Sequence, residues 1–221
     1  MTPATAPVIA PVIAVDGPAA AGKGTLARRL AAELGLPYLD TGLLYRAVGR
    51  RVLDRNGDPA HPATAEAAAR SLRSTDLDRS DLRGPQADAA AAAVASIPGV
   101  RTALLAFQRD FARANGAVLD GRDIGTVIFP GAQAKLFVTA SLAERAKRRW
   151  LELQEKGIET DIVMVEQDIR QRDAKDAARA AAPLRAAADA CHLDTTAMSA
   201  DAAFLTALRF VRARLAAAER A

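Results

Sequence analysis

The chain has 221 residues, 50% of them hydrophobic by type, with 30 basic and 26 acidic side chains for a net charge of +4, and a single cysteine. This suits one compact α/β domain with room for a small inserted segment. So mild a positive balance favours phosphorylated ligands without calling for nucleic acid, and a lone Cys191 excludes an intrachain disulfide framework and a cysteine zinc cluster. No apolar run is long enough to span a bilayer, and residues 1–11, with Pro3, Pro7 and Pro11, lack the basic start of a signal peptide. A cytoplasmic, soluble protein is the expectation.

The first element is the apolar run Val12-Ile13-Ala14-Val15, which reads as a buried strand ending at Asp16. A helical pattern follows, with Leu26, Leu30 and Leu34 on one side. Between them lies Gly17-Pro18-Ala19-Ala20-Ala21-Gly22-Lys23-Gly24-Thr25. Its glycine spacing leaves backbone N–H groups free to wrap a phosphate, and Lys23 meets the same anion where the helix begins. All nine positions are expected to bind the phosphates of a nucleotide donor. Gly24 stands where a hydroxyl usually follows the lysine, so Thr25 is the candidate to hold magnesium, directly or through water.

Residues 25–34 read as a helix stopped by Gly35, and residues 36–39 as a short second strand. Leu44, Val48 and Val52 recur every four residues, which predicts a helix over 41–53 that opens at Asp40 or Thr41 and closes near Asn56-Gly57. From 54 to 85 the chain turns polar and charged, broken by Pro59, Pro62 and Pro85. It reads as an inserted mobile segment with a short helix near 64–74 and without a strand pair. Helical pattern returns from Gln86. After Ile97-Pro98 a second helix carries Val100, Leu104, Phe107 and Phe111 along one side, with Arg101 at its start. The alanine-rich stretches 87–95 and 177–190 are strong helix formers rather than signs of disorder.

Ala117-Val118-Leu119-Asp120 has the form of a buried parallel strand that ends in a carboxylate, and a strand-end carboxylate beside a phosphate loop holds magnesium water. Gly121-Arg122-Asp123-Ile124-Gly125-Thr126 follows. Residues 135–139 form the next strand, and Ser141 with Glu144 makes a capping box for a helix ending before Gly157. That helix carries Arg145, Lys147, Arg148 and Arg149, either a solvated face or a lid. A further helix places Ile162, Val165 and Ile169 on its apolar side. If it continues, Arg172, Asp176 and Arg179 fall at i, i+4 and i+7 as an ion-pair ladder or a clamp for a sugar phosphate. Pro183 ends this region, residues 191–195 form a last strand, and residues 199–215 a closing helix with Phe204, Leu208, Val211 and Leu215 inward. Alternating strands and helices predict an α/β fold with a five-stranded parallel sheet and helices on both faces.

Phosphoryl transfer asks little covalent help from a protein, because cations and alignment stabilise its loose transition state. Many arginines and two histidines fit that chemistry. Neither His61, in the inserted segment, nor His192, in an apolar strand, has an evident partner in the sequence. A phosphate acceptor needs no general base, so the lack of a histidine pair favours it over an alcohol. A regulatory GTPase would share the loop, but the chain has no Asn-Lys-x-Asp motif, and its Asp-x-x-Gly strings at Asp54 and Asp81 follow no apolar strand. A nucleic-acid module would interleave basic and aromatic residues, which this chain does not.

Taken together, the stretches 13–18, 22–25 and 39–46, then 120–127, then Arg172-Asp173, Asp176, Arg179, Ala182-Pro183-Leu184 and Asp194-Thr195-Thr196 closely resemble the bacterial cytidylate kinases. These are P-loop nucleoside monophosphate kinases that transfer the γ-phosphate of ATP to CMP or dCMP. The resemblance implies a P-loop NTPase-like fold forming one domain over 1–221, with a CMP-binding segment at 54–98 and a short lid at 145–160. It implies Lys23, Arg122, Arg179 and Arg149 as catalytic residues. Arg46, Arg122 and Arg179 would bind the CMP phosphate, Asp176 and Arg172 would organise the ribose, Arg101 and Asp123 would face the base, and Thr41 would join them. Arg145 would act with Arg149 on ATP, and Thr25 and Asp120 would hold Mg2+. Alanine at 92 stands where the family usually has a serine that contacts cytosine. ATP and CMP or dCMP are the expected ligands of a monomer that binds neither nucleic acid nor membrane.

Overall fold

The computed structural model describes residues 10–179 and 182–220, so most of the N-terminal stretch 1–11 lies outside the described residues. In chain order the elements are β1 (Val12–Asp16), α1 (Lys23–Leu34), β2 (Tyr38–Asp40), α2 (Thr41–Leu53), α3 (Pro62–Arg70), α4 (Pro85–Ala95), α5 (Pro98–Arg113), β3 (Ala117–Gly121), β4 (Ala134–Thr139), α6 (Leu142–Glu155), α7 (Ile162–Ala177), β5 (Cys191–Asp194) and α8 (Ala200–Ala218). A 3-10 turn occupies Ser74–Asp78 and a π-helical turn Ile124–Ile128. Two compact units result, one of Met1–Leu39 with Phe111–Ala221 and one of Asp40–Asp110.

The first unit is built on a five-stranded sheet in the order β2-β3-β1-β4-β5. β1 is central and pairs in parallel on both edges, Val15 with Asp120 of β3 and with Leu136 of β4. Alternation then decides which side chains meet. Ile13, Val15, Val118, Leu136 and Val138 turn to one face, where Leu26 and Leu30 of α1 and Ala207, Leu208 and Val211 of α8 bury them. Ala14 and Leu119 point to the other face and are equally buried. Both faces of these inner strands are apolar, as a parallel sheet requires. The strand order reverses around β1, so the crevice at the carboxyl ends of β1, β3 and β4 is the natural ligand position.

The second unit holds together differently. Leu44, Val48 and Val52 of α2 and Ala87, Ala90 and Val94 of α4 are buried, and Gly49 lets the helices approach closely: a Cβ there would lie 2.7 Å from Ala90 Cβ. Around this small apolar seam run ion pairs. Arg50 meets Asp54 and Asp81, Arg79 meets the same two carboxylates, and Arg51 meets Asp76 at 2.5 Å. Such a network is how a stretch as polar as 54–85 orders without strands. The expected segment 54–98 lies inside this unit, whose boundaries are wider.

Several expectations are corrected. On α5 the buried stripe is Val100, Leu104, Gln108 and Ala112, while Phe107 and Phe111 are only half-buried; the Gln108 Nε2 donates to Leu104 O, and its buried Oε1 has no partner among the described residues. Ile162 is exposed rather than core, leaving Val165 and Ile169 to pack with Trp150 and Leu153. Phe204 and Leu215 of α8 face inward as expected, half-buried and packed on the same core as Leu208 and Val211. At the start of the alanine-rich run α7 stops at Ala177, and Ala182, whose α conformation Pro183 disfavours, sits at φ 56°; residues 180 and 181 lie outside the described residues. Ser141 caps α6 by accepting from Glu144 N, but the Glu144 carboxylate accepts from Arg148 Nε instead of closing a box. His61 does have a partner, since its ring caps α3 at Thr64, and His192 packs on the ring of Phe137.

Among the described residues no single helix is long and apolar enough to cross a membrane. Gly49→Ala is expected to destabilise the protein although alanine gains about 1 kcal/mol in helix propensity, because overpacking against helix backbone costs about 1–3 kcal/mol. A lower melting temperature in circular dichroism is the expected result, and a higher one would contradict the close α2–α4 packing.

Candidate functional site

The carboxyl end of β1 runs straight into the phosphate loop. Gly17 is obligatory there, because a Cβ would meet Val138 O at 2.0 Å, and its φ of 153° is one that L side chains rarely adopt. Ala20 at φ 58° and Gly22 at φ 84° are left-handed, which costs about 1–2 kcal/mol for the alanine and makes the concave backbone that binds anions. No side chain caps α1 at Gly22, so the first N–H groups of the helix are left for a phosphate. Lys23 is 8% exposed and folds back over the loop, its Nζ donating to Pro18 O at 3.2 Å.

Asp120, at the end of β3, is buried, and its Oδ1 accepts from Tyr38 OH at 2.8 Å. Its Oδ2 faces the loop, 3.4 Å from where a Cβ of Gly24 would be. Thr25 faces elsewhere. It lines a cavity of about 280 Å³ with Gly22, Arg29, Val138, Glu144, Arg148, Thr195 and Met198. The threonine and aspartate expected to share a metal therefore meet different neighbours.

A second cluster gathers at the end of α7. Asp176 is 2% exposed and accepts from Arg122 Nε at 2.8 Å and from Arg179. Arg179 reaches it from beyond the helix end, since α7 stops at Ala177, so the three residues at i, i+4 and i+7 do not form one helical stripe. Burial alone would raise the Asp176 carboxyl, but the charges of Arg122 and Arg179 outweigh it and hold the pKa below the ordinary 3.8. Its stabilising contribution is present above that value and lost as pH falls through the lower, folded one.

The basic run of α6 divides by direction. Arg145 is buried and donates to Ala140 O and to Ala19 O of the loop, while its other contact is Asp173 at 2.7 Å. Arg148 holds the carbonyl and hydroxyl of Thr195, Arg149 pairs with Glu152 at 2.9 Å, and Lys147 is exposed. The run is therefore mostly not a solvated face. In the second unit Thr41 is buried at the start of α2, Arg46 pairs with Asp88 at 2.8 Å, and the Arg101 guanidinium lies 5.9 Å from the Tyr45 ring centroid. Ala92 is exposed on α4.

No site role was expected from the sequence for Asp16, Tyr38, Asp88, Asp173 or Thr195. Asp16 is the most consequential. It is 4% exposed, and its two oxygens accept from Ile124 N and Gly125 N, each at 2.8 Å. Burial pushes its pKa up to about 6, Asp123 adds to the rise, and the two N–H groups and Lys23 oppose it. A carboxyl raised above its unfolded value stabilises the fold fully below about pH 3.8, and that contribution is lost as pH rises through about 6.

A central strand that ends in an anion-binding loop, with buried carboxylates and guanidinium groups at the neighbouring strand ends, defines a phosphate-loop α/β protein. Residues 13–213 match the family model described as cytidylate kinase. The cytidylate kinase of Acidiphilium cryptum is 63% identical over 205 residues, covering 93% of this chain and 97% of that protein. That of Granulibacter bethesdensis is 60% identical, covering 91% and 96%. This chain belongs to the cytidylate kinase family. A crystal structure of an uncharacterized protein from Eubacterium ventriosum shares the fold with a TM-score of 0.53 at 12% identity, covering 91% of this chain and 98% of that one.

Carboxyl-carbon NMR is expected to give Asp16 a midpoint near 6, and Lys23→Met is expected to raise it further by removing an opposing cation. A midpoint near 3.8 in the folded protein, unmoved by the substitution, would contradict this environment.

Proposed function

We propose that this protein transfers the γ-phosphoryl group of ATP to CMP or dCMP, giving ADP and CDP or dCDP, in pyrimidine nucleotide metabolism. The observation that carries the reading is the phosphate loop at the end of β1 in the same unit as the Arg122–Asp176–Arg179 cluster. The first is suited to polyphosphate, the second to a phosphate dianion. Asp176 accepts one N–H from each arginine and holds the two guanidinium groups side by side, leaving further donors for a phosphate. The acceptor oxygen is already ionised near neutral pH, so no side chain has to remove a proton from it.

In this reading residues 17–25 hold the donor phosphates, with Lys23 placed to follow charge as it moves to the bridging oxygen. Arg122 and Arg179 grip the acceptor phosphate, and Arg172 with Asp176 serves the ribose. Thr41, Arg46 and Arg101 of the second unit are acceptor-binding residues. Cytosine offers an amino donor at N4 and an acceptor at N3, which complement a carboxylate at Asp123 and a guanidinium at Arg101, whereas uracil reverses both groups. Arg149 serves the donor from the lid at 145–160. Arg145 serves it through the loop carbonyl it binds, with Asp173 as its counter-charge.

Asp120, a buried carboxylate at a strand end whose Oδ1 accepts from the Tyr38 hydroxyl, is an oxygen donor of the kind that suits Mg2+, which takes one or two carboxylates and completes its shell with water and substrate phosphates. Asp120 would hold it, with Thr25 as the second candidate, directly or through water. When bound, the ion supplies neutralisation of phosphate charge. A cytoplasmic monomer that binds neither nucleic acid nor membrane is the setting we infer, supported by the mild and scattered net charge.

Initial rates with ATP and Mg2+ test the assignments. Lys23→Ala is expected to lower kcat by a factor on the order of 100 or more while the fold persists, since it removes a contact made mainly in the transition state. Asp176→Ala is expected to raise KM for CMP more than KM for ATP. Normal turnover in the first variant or an unchanged CMP KM in the second would overturn the corresponding role.

A further inference from the structure

The carboxylate of Asp16 belongs to none of the roles above, yet it ties the start of the phosphate loop to the segment after β3. We propose that Asp16 is a positioning residue: by gripping the backbone of Ile124 and Gly125 it fixes Arg122 and Asp123 relative to the phosphate loop and so sets how the acceptor lies against the donor. The inference deepens the proposed function and rests on it for the roles of Arg122 and Asp123.

The geometry has four parts. Asp16 immediately precedes Gly17, whose backbone is packed against Val138 O so closely that no Cβ fits, so the main chain bearing the carboxylate cannot shift without moving the loop. Both carboxylate oxygens are engaged, one N–H each, so the grip resists rotation as well as translation of the segment. Gly125 sits tightly against that grip: a Cβ there would touch Asp16 Oδ2 at 3.4 Å and would lie 3.1 Å from the Lys135 stem, which would have to give way. Finally, Ile124–Ile128 is a π-helical turn, with Val127 N and Ile128 N both donating to Asp123 O, an irregular backbone that needs an external fixing point.

The chemistry needed is an acceptor with two oxygens. Asparagine has one oxygen, and its amide nitrogen would confront a backbone N–H, donor against donor. Asp16→Asn should therefore loosen the segment without emptying space in the core. The donor is held mainly by the loop's own N–H groups and Lys23, whereas the acceptor depends on Arg122 and Asp123, so the two substrates respond unequally.

The test measures amide hydrogen exchange and steady-state kinetics on the whole chain, with Gly125→Ala as a second variant that disturbs the gripped segment itself, through the Lys135 stem 3.1 Å from the new Cβ, and keeps the Asp16 charge. Exchange at Ile124 and Gly125 is expected to rise on the order of tenfold in Asp16→Asn while β1 and β3 amides keep their protection. KM for the acceptor that the wild type uses best should rise on the order of tenfold, with KM for ATP changed less than about threefold and the CMP-to-UMP preference reduced. The same pattern is expected in Gly125→Ala, which keeps the proposal testable if Asp16→Asn does not fold. Unchanged exchange at the two amides, or equal effects on both substrates in a folded variant, would overturn the positioning role. A wild type that does not prefer CMP would instead count against the proposed function, and the exchange result would still decide whether Asp16 holds the segment.

Discussion

β1 is hydrogen-bonded on both of its edges, to β3 and to β4, and the rest of the first unit depends on that double pairing. A strand buried between two parallel neighbours must be apolar on both faces, so polar chemistry can appear only where the strands end. The ends coincide. Register places Asp16 beside Gly121 and Phe137, and the phosphate loop, Asp120 and the Arg122–Asp123 segment all begin within a residue or two of that level. The site is thus a consequence of strand register rather than of any one motif.

Concentrating charge there has a cost that the fold offsets pairwise. A buried charge is tolerable only when paired and hydrogen-bonded. Asp176 has two guanidinium groups, Asp120 a phenol, Arg145 two carbonyls and a carboxylate, and Asp16 two backbone N–H groups. At Asp16 burial outweighs the two N–H groups and Lys23, so its pKa stands high, whereas at Asp176 the charges of Arg122 and Arg179 outweigh burial and its pKa stands low. The second unit keeps its ion pairs at the surface instead, where Arg50, Arg79 and their aspartates remain partly in water and contribute less apiece.

Much of this was legible in the sequence because periodicity and glycine spacing are local. The loop, the five strands and α2, with its apolar residues every four positions, stand where the pattern put them. What was not legible depends on contacts between distant segments. Asp16 reads like any strand-end aspartate until Ile124 and Gly125 come to it from more than 100 residues away. Arg179 looked like part of a helical stripe because alanines on either side favour helix, but α7 stops at Ala177 and Arg179 meets Asp176 from just beyond the helix end. Arg145 could not be told from Arg149 in a basic run, although one is buried against the loop and the other pairs with Glu152 near the surface. Gln108 in place of Phe107 on the buried side of α5 is a further case, since a polar residue can face inward only if its amide finds a carbonyl on the preceding turn.

The central claim is that these strand ends transfer phosphate from ATP to a cytosine nucleotide. Competition states it most directly: equimolar CMP and UMP are offered with limiting ATP and Mg2+, and the diphosphates formed are counted by 31P NMR and chromatography. The product ratio equals the ratio of kcat/KM values and is independent of how much enzyme is active. The account predicts CDP in excess by a factor on the order of ten or more. Equal yields of CDP and UDP, or ATP left unconsumed with both acceptors present, would contradict it.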